Sequence, residues 1–547
     1  MKPKPLITGL ALASLFFAAL LPPEAYPDGK LAVILCATFV FFASVLEGKV
    51  TAKYVWSGLV IFALLVLHSL VISVDAYRSI EFISVLWAYY CLLGFFLYAG
   101  FEPVRPVSMA MVVLSIAVSG YGIYQYFWGF EQLYDFVFYS SSDQVFKTPA
   151  LDRIEERRVF STLALPGTLW GFLVIALPFH AALWSRNRYG NALLVLSAAM
   201  VLATGFLTRS FGFLVGLFVL TVAWIALRHR RVLWNKVALA GVILILVAGI
   251  FYAARRGAID SSNPVSLRFK NWVSAWTIFA DNPSGTGLNT YGVMYPRHML
   301  PGANETQYAH NTPLQLLAEG GYFFVLAAGA LLLFGVRAWA RGARSSLSQC
   351  MLAALAVWVV HNLIDINVYF PSVGVIGAVL LGVLLRREPA AGQRPRKALA
   401  ACTAAAGLAI LTFSALNMVS SELQNRSRAE HQENRLAAAA ETLEQAKALM
   451  PLNSSLYHES GEILLNLHHN RKEPQYLTRA TESFRRAIAL SPAKAGPHAG
   501  LSLCFSTAAR MDEALEEIHI AQSLHPDSTY LEAVVRLLEK RKATLEN

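Results

Sequence analysis

The sequence predicts an all-α, polytopic membrane protein with about 12–13 transmembrane helices, followed by a polar helical solenoid. Three observations predict it. The 547-residue chain is 56% hydrophobic and only 15% charged, where a soluble domain carries about 25% charged residues. Long apolar runs recur through the first three quarters of the chain, enough to cross a hydrocarbon layer about 30 Å thick. Residues 421–547 contain no such run and are rich in helix-forming polar residues.

About thirteen runs read as spans, near 6–22, 31–46, 55–74, 82–100, 107–128, 162–184, 191–207, 211–228, 236–253, 313–336, 347–365, 369–386 and 397–419. The first two are the shortest. The first follows the basic flank MKPKP but lacks a small-x-small cleavage site, so it is not read as a cleaved signal. Residues 1–420 form the membrane body, and residues 421–547 a second domain. Long connections are expected at about 129–161 and 254–312, and long loops in compact proteins are usually functional.

The formal net charge of +11 suggests a nucleic-acid partner only until the charges are placed. Lys49, Lys53, Arg105, Arg186, Arg188, Arg386 and Arg387 all fall in connections on one side of the membrane. By the positive-inside rule that side and the N-terminus are cytoplasmic. An odd number of spans puts the C-terminal domain outside, and nucleic acid is not an expected partner. Cys36, Cys91, Cys350 and Cys402 fall in spans and Cys504 in the tail, with neither a disulfide framework nor a zinc spacing.

The tail repeats itself. AKALMP, AIALSP and AQSLHP end at Pro451, Pro492 and Pro526. Ala446, Ala487 and Ala521 lie five residues before the prolines; Leu443, Phe484 and Ile518 lie eight before; Ala439, Ala480 and Ala514 lie twelve before. Small alanines let two helices approach, and the bulky residue fills the groove between them. Leu501 and Phe505 suit the first helix of the last repeat. The last two prolines are 34 residues apart (526 − 492), the tetratricopeptide (TPR) period. The first interval is 41 (492 − 451) and implies an insertion near HHNRKEPQYL, 468–477. Such solenoids bind peptides or proteins.

Chemistry-bearing residues collect at the other side of the membrane from the basic loops. NPSGTGLN, 282–289, holds a proline and two glycines and reads as a turn with bare amides, of the kind that can face an anion. Ahead of it, Arg268, Trp272, Trp276 and Phe279 recur at helical spacing, as on an amphipathic surface helix. Pro313 suits the first turn of the next helix, with Asn311 or Thr312 as its cap. His310 then stands at the membrane entrance. Arg158 precedes one span, and Arg209 occupies a very short connection between two others. Guanidinium groups grip phosphate oxygens in bidentate fashion, and an imidazole can take a proton from a hydroxyl. Glu319 is an ionisable residue inside a span, hence functional by default, or else structural at a helix break near Gly320–Gly321. His361 and Asp365 at i, i+4 share a helix face and read more readily as a structural hydrogen-bonded pair. No metal-ligand set, Ser-His-Asp set or Walker loop is present.

These residues resemble the O-antigen ligase and polymerase superfamily. The resemblance rests on Arg268, Trp272, Asp281-Asn-Pro, Gly285-x-Gly287-x-Asn289, His310-Asn311, Gln315 and Glu319-x-Gly321, with RVFSTLALPG and HNLIDINVYFP as weaker segments. It covers roughly residues 150–385. It implies a metal-independent, cofactor-free glycosyltransferase of the GT-C type in the bacterial cytoplasmic membrane. Its donor would be a glycan on undecaprenyl diphosphate; the acceptor would be lipid A-core, another glycan or a protein hydroxyl. By position, His310 would activate the acceptor, while Arg268, Arg158 and Arg209 would hold the diphosphate. Asn289, Asn311, Glu319, His361 and Asp365 would support them. The family's T-x-S-R-G corner reads Thr208-Arg209-Ser210-Phe211-Gly212 here, with Phe211 in the arginine's place.

Two readings of other classes compete. A transporter or flippase would line a path near the bilayer midplane with charge, whereas the polar residues here cluster at one face. A non-catalytic TPR scaffold of envelope assembly accounts for the tail and leaves the arginine-histidine set without a purpose.

Overall fold

A computed structural model describes residues 5–22, 26–140, 151–210, 212–228, 264–325, 346–387 and 397–546. Among these residues the secondary structure is helical, with no strand. Six helices are long and apolar enough to cross a membrane, and five apolar helices are shorter. Those eleven coincide with expected spans. The expected span 236–253 and the second half of 313–336 lie outside the described residues.

The membrane body is α1 (Pro5–Leu20), α2 (Pro27–Leu46), α3 (Ala52–Val71), α4 (Ala76–Leu97), α5 (Val104–Tyr124), α6 (Phe130–Ser140), α7 (Pro166–Ala182), α8 (Arg188–Leu207) and α9 (Gly212–Arg228). It continues through α10 (Pro264–Asp281), α11 (Tyr291–His298), α12 (312–325), α13 (Ser346–His361) and α14 (Pro371–Leu384). α4 packs against α2 and α14, while α7 is enclosed by α5, α8, α9 and α13. Without a hydrophobic drive between helices inside lipid, close packing depends on small residues at the crossings. Gly205 and Gly216 lie against the Trp170 indole of α7, and Gly374 and Gly377 lie against Tyr89 and Trp358. α3 and α8 keep mostly exposed apolar faces, as helices turned toward lipid do.

The first long connection is shorter than the sequence suggests. α5 does not stop near 128; it passes through a π-helical turn, Gln125–Gly129, into α6. Polar residues such as Glu131 and Asp135 end the apolar run without ending the helix. The π turn swings Gln125 inward, where its side-chain oxygen accepts the N–H groups of Phe160 and Ser161 at 3.0 and 2.8 Å. Such bulges are frequent at functional sites. In the second connection, α10 is the expected surface helix. Asn271, Ser274, Ala275 and Ile278 are buried, while Phe269 and Trp276 are exposed.

The tail follows α15 (Lys397–Gln432), a 36-residue helix that passes residue 420 without a break. Then come α16 (Leu436–Leu449), α17 (Ser454–Arg471), α18 (Pro474–Leu490), α19 (Ala495–Thr507), α20 (Met511–Leu524) and α21 (Thr529–Glu546). They pair as α15 with α16, α17 with α18, and α19 with α20. The six alanines singled out above, with Leu443, Phe484 and Ile518, are all completely buried. The seven extra residues of the first interval (41 − 34) form no loop. They lengthen α17 and α18, which meet at Lys472 in the left-handed region, φ 60°.

Phe484 sits where Gly461 and Gly500 leave room for its ring. Truncating a buried phenylalanine costs about 3–5 kcal/mol. Phe484→Ala should therefore lower the denaturation midpoint of the purified protein clearly, and Phe484→Leu by less. Equal midpoints for wild type and Phe484→Ala would contradict this packing.

Candidate active site

Five connections meet at one end of the bundle: 72–75, 151–165, 208–210, 282–311 and 362–370. Two of them, 282–311 and 362–370, are tied together by one buried carboxylate. Glu319 on α12 is completely buried. It accepts the N–H groups of Asn289 (2.7 Å) and Tyr291 (3.0 Å), the Gln315 amide (3.0 Å) and the Tyr369 hydroxyl (2.5 Å). Its own carbonyl accepts the Gly287 N–H at 2.8 Å. One amide of NPSGTGLN, that of Asn289, therefore faces a carboxylate, and that carboxylate belongs to the chain. The close approach needs glycine: a Cβ on Gly285 (φ +88°) would lie 2.4 Å from the Glu319 carbonyl oxygen. Gly321 adopts φ +57°, and Tyr322 donates to the Pro283 carbonyl at 3.1 Å. The helix thus loses regular geometry where the Gly-Gly pair suggested. Glu319 holds the loop rather than opening onto a surface.

The next residues place His310. Asn311 caps α12 by accepting the Leu314 N–H at 3.0 Å, and its amide donates to the Leu363 carbonyl at 2.8 Å. Thr312 donates its N–H to the carbonyls of Asn362 and Asp365 and its hydroxyl to the Asn362 side chain. The Trp272 indole of α10 donates to the His310 carbonyl at 3.3 Å. These contacts hold His310 at φ 52°, a conformation that costs a non-glycine residue of order 1–3 kcal/mol.

His310 Nδ1 lies 3.3 Å from Asp365 Oδ1. Asp365 is buried in the connection after α13. Burial pushes its carboxyl up, but the hydrogen bond and charge of His310, with His361 and Arg268, outweigh burial and hold it well below the usual range. An ionised carboxylate at Nδ1 fixes the tautomer that leaves the Nε2 lone pair free. The His310 side chain is 25% exposed against 5% for Asp365, so the imidazole is the open member of the pair.

His361 and Asp365 do not form the pair that their spacing suggested. α13 ends at His361, and 362–365 is a turn. His361 instead bonds the Asn367 side chain, at 3.0–3.2 Å. Both residues border α7, where a Cβ on Gly167 would lie 2.8 Å from Asp365 Oδ2 and one on Gly171 2.8 Å from His361 Cε1. The Arg209 turn closes the other side. A Cβ on Gly212 would lie 3.4 Å from His361 Nε2, and Ser210 also borders Gly167.

The structure gathers most of the expected arginines here. Arg268 acts electrostatically on both His361 and Asp365. Arg209 is exposed at φ 48°. Among the described residues neither has a side-chain hydrogen bond or ion pair. Phe211 lies outside the described residues. Arg158 ties the earlier connection to this turn, its Nε donating to the Thr208 carbonyl at 3.4 Å, and it lies 3.6 Å from Glu156. Arg153, not singled out in the sequence, lies close enough to Arg158 that burial and that neighbouring charge lower its pKa. The crowded run DRIEERR was its only signal. Gln125 and Asn367 were also missed, since an amide in an apolar or turn segment has no spacing of its own. Among the described residues, no group of three or more metal-ligating side chains comes together.

Residues 192–329 match the model of the O-Antigen ligase family. This match supports the O-antigen ligase/polymerase superfamily for the chain, and with it glycan transfer of the ligase or polymerase type by a multi-pass membrane enzyme. The matched segment contains Arg209, Arg268, Asn289, His310, Asn311 and Glu319, while Arg158, His361 and Asp365 lie outside it. No curated protein matches the chain.

Two outcomes are expected from this geometry. Glu319→Gln should destabilise the protein by about 2–5 kcal/mol, because an amide cannot accept from four donors; a wild-type denaturation midpoint would refute it. Asp365, with its pKa depressed in the folded state, stabilises fully above its unfolded value of about 3.9. That contribution is lost as pH falls through and below that value. The midpoint difference between wild type and Asp365→Asn should therefore be largest near neutral pH and shrink in acid. A pH-independent difference would show that the charge is not what matters.

Proposed function

We propose that the chain transfers a glycan from undecaprenyl diphosphate to an acceptor hydroxyl at the outer face of the bacterial cytoplasmic membrane, without a metal ion. The observation that carries this reading is the His310–Asp365 pair, an open imidazole on a buried carboxylate that Arg268 acts on electrostatically and that shares the Gly167 wall with Ser210 of the Arg209 turn. The acceptor hydroxyl gives its proton to His310 Nε2 as its oxygen attacks the anomeric carbon. The bond between that carbon and the diphosphate oxygen breaks, and its electron pair leaves with the lipid diphosphate. Asp365 stabilises the imidazolium so formed. Arg268, Arg209 and Arg158 neutralise charge growing on the leaving diphosphate, where preorganised cations act most strongly. His361 and Asn367 fix the wall behind Asp365. Apolar grooves between spans hold the polyprenyl tail while its head group waits at the surface.

In this reading the N-terminus is cytoplasmic, residues 1–420 form the membrane glycosyltransferase domain, and the TPR-like tail is periplasmic. The tail brings a protein partner or acceptor to the outer face. The acceptor is lipid A-core or a growing glycan; a protein hydroxyl is the third possibility and is decided by the same assay.

General-base removal costs roughly 10²–10⁴-fold. His310→Ala should lose transfer by that order, measured with a short glycan on undecaprenyl diphosphate and gel readout, while its denaturation midpoint stays near wild type. A ladder from donor alone marks a polymerase; a single shift that needs lipid A-core or a protein marks a ligase or a protein glycosyltransferase. Wild-type turnover by His310→Ala would falsify the assignment. Arg209→Ala should insert normally and lose most activity, and full activity would remove Arg209 from the diphosphate site.

A further inference from the structure

The tail is fastened to the outer end of the membrane body. Asp75 at the α3–α4 corner is buried and caps α4 by accepting the Arg78 N–H at 3.2 Å. It also lies 2.9 Å from Lys494 Nζ and accepts the Ser454 hydroxyl at 3.4 Å, both from the tail. Tyr77 donates to Asn417 of α15, and His525 lies 3.7 Å from Glu305.

Between these contacts lies a cleft of about 300 Å³, lined by residues of both parts. The membrane body supplies Arg78, Gly292, Glu305 and Gln307; the tail supplies His458, Lys494, Gly496 and His525. Its cations are not all paired. Lys494 is answered by buried Asp75, and His525 faces Glu305. Arg78 donates only to the neutral Gln307 amide, at 3.2 Å, and meets no carboxylate within ion-pair distance among the described residues.

One lining residue also has an unsatisfied polar atom. Among the described residues, His458 Nδ1 is buried without a hydrogen-bond partner, and such groups in native structures call for an explanation. Burial pushes the His458 imidazole down to about 4, so near neutral pH it offers a hydrogen bond and no charge. Its Nε2 lies 3.4 Å from Glu462. Gly496 keeps the space open: a Cβ there would lie 3.2 Å from His458 Cε1. A guanidinium that bonds only a neutral amide, on the same lining as an uncharged imidazole, suits a ligand that carries an anion and a hydroxyl together. This lining offers no aromatic anchor for a peptide; its apolar side chains are Val293, Leu524, two alanines and two prolines.

We propose that this cleft seats an acidic sugar of the acceptor glycan, its carboxylate or phosphate on Arg78 and a hydroxyl donating to His458. The proposal rests on the glycan-transfer reading. Gln307 lies three residues before His310, so a chain held here is held on the loop that carries the reacting end. The tail would then be one wall of the acceptor site.

The test uses the full-length protein in detergent with a galacturonate trimer, its methyl ester and a hexose-phosphate oligomer, followed by calorimetry. The trimer or the phosphate oligomer should bind wild type, and the ester about tenfold more weakly. Arg78→Gln should weaken the acidic ligand about tenfold and Arg78→Lys should restore part of it. His458→Phe, which keeps the ring against Phe484, should weaken acidic ligand and ester alike. Whichever of the two acidic oligomers binds identifies the anion. In transfer assays both losses should appear in the acceptor KM and not in kcat. No binding of any probe, equal affinity for acid and ester, or unchanged affinity in both variants overturns the proposal. His310→Ala should bind the acidic oligomer as wild type does. If that variant also keeps transferring glycan, the catalytic reading falls while the binding result stands.

Discussion

The loop-bearing end of the helix bundle depends on burying one carboxylate with all its hydrogen bonds made. An ionised carboxylate moved out of water loses several kcal/mol that only well-placed donors recover. Glu319 finds four, from three segments distant in sequence: the NPSGTGLN loop and the start of α11, its own helix, and the connection before α14. None of these segments satisfies the charge alone. Docking the loop on α12 and fixing Tyr369 are therefore one event. The same loop reaches the α3–α4 corner, where Val74 donates to Thr286 and Ser79 to Leu288. Asp75 on that corner holds the tail. A carboxylate within a membrane helix thus organises contacts well outside it.

His310 follows from this arrangement. Its backbone takes a left-handed turn because both flanks are already committed. The residues after it are bonded to 362–365, and its carbonyl is bonded by the Trp272 indole. The strain is local and aims the imidazole at Asp365. Asp365 reaches that point because α7 offers glycine at two successive turns. Any side chain at Gly167 or Gly171 would occupy the space that Asp365 or His361 fills.

Most of the fold was legible because lipid imposes a simple rule. Apolar runs of the right length become helices, and all eleven that are described did. The rule fails where a helix outlasts the bilayer, as α5 does through its π turn, because Glu131 and Asp135 end the hydropathy signal but not the hydrogen bonding. The site was legible in part. His310, Arg268 and the arginine corners carry chemistry at positions where a membrane protein would otherwise avoid charge. The roles of Glu319 and Asp365 were not legible. Spacing gives neighbours along a helix, and it cannot show that α13 stops at His361 or that Glu319 meets backbone amides thirty residues upstream. Gln125 and Asn367 act through a single amide each, and nothing in a sequence separates them from ordinary turn residues.

The tail differs from a tethered module in one physical respect. α15 is continuous for 36 residues, about 54 Å at the helical rise, so it enters the tail as a rigid strut with no hinge at residue 420. A flexible linker would give a bound partner a broad range of distances and a correspondingly low effective concentration at the site. A strut pinned again through Asp75 gives a narrow range. Whatever the tail holds is presented to the loop-bearing end of the bundle at a fixed position, and the entropy of ordering it is spent on folding instead of on each encounter. That makes geometry, more than affinity, the quantity that a tail of this design controls.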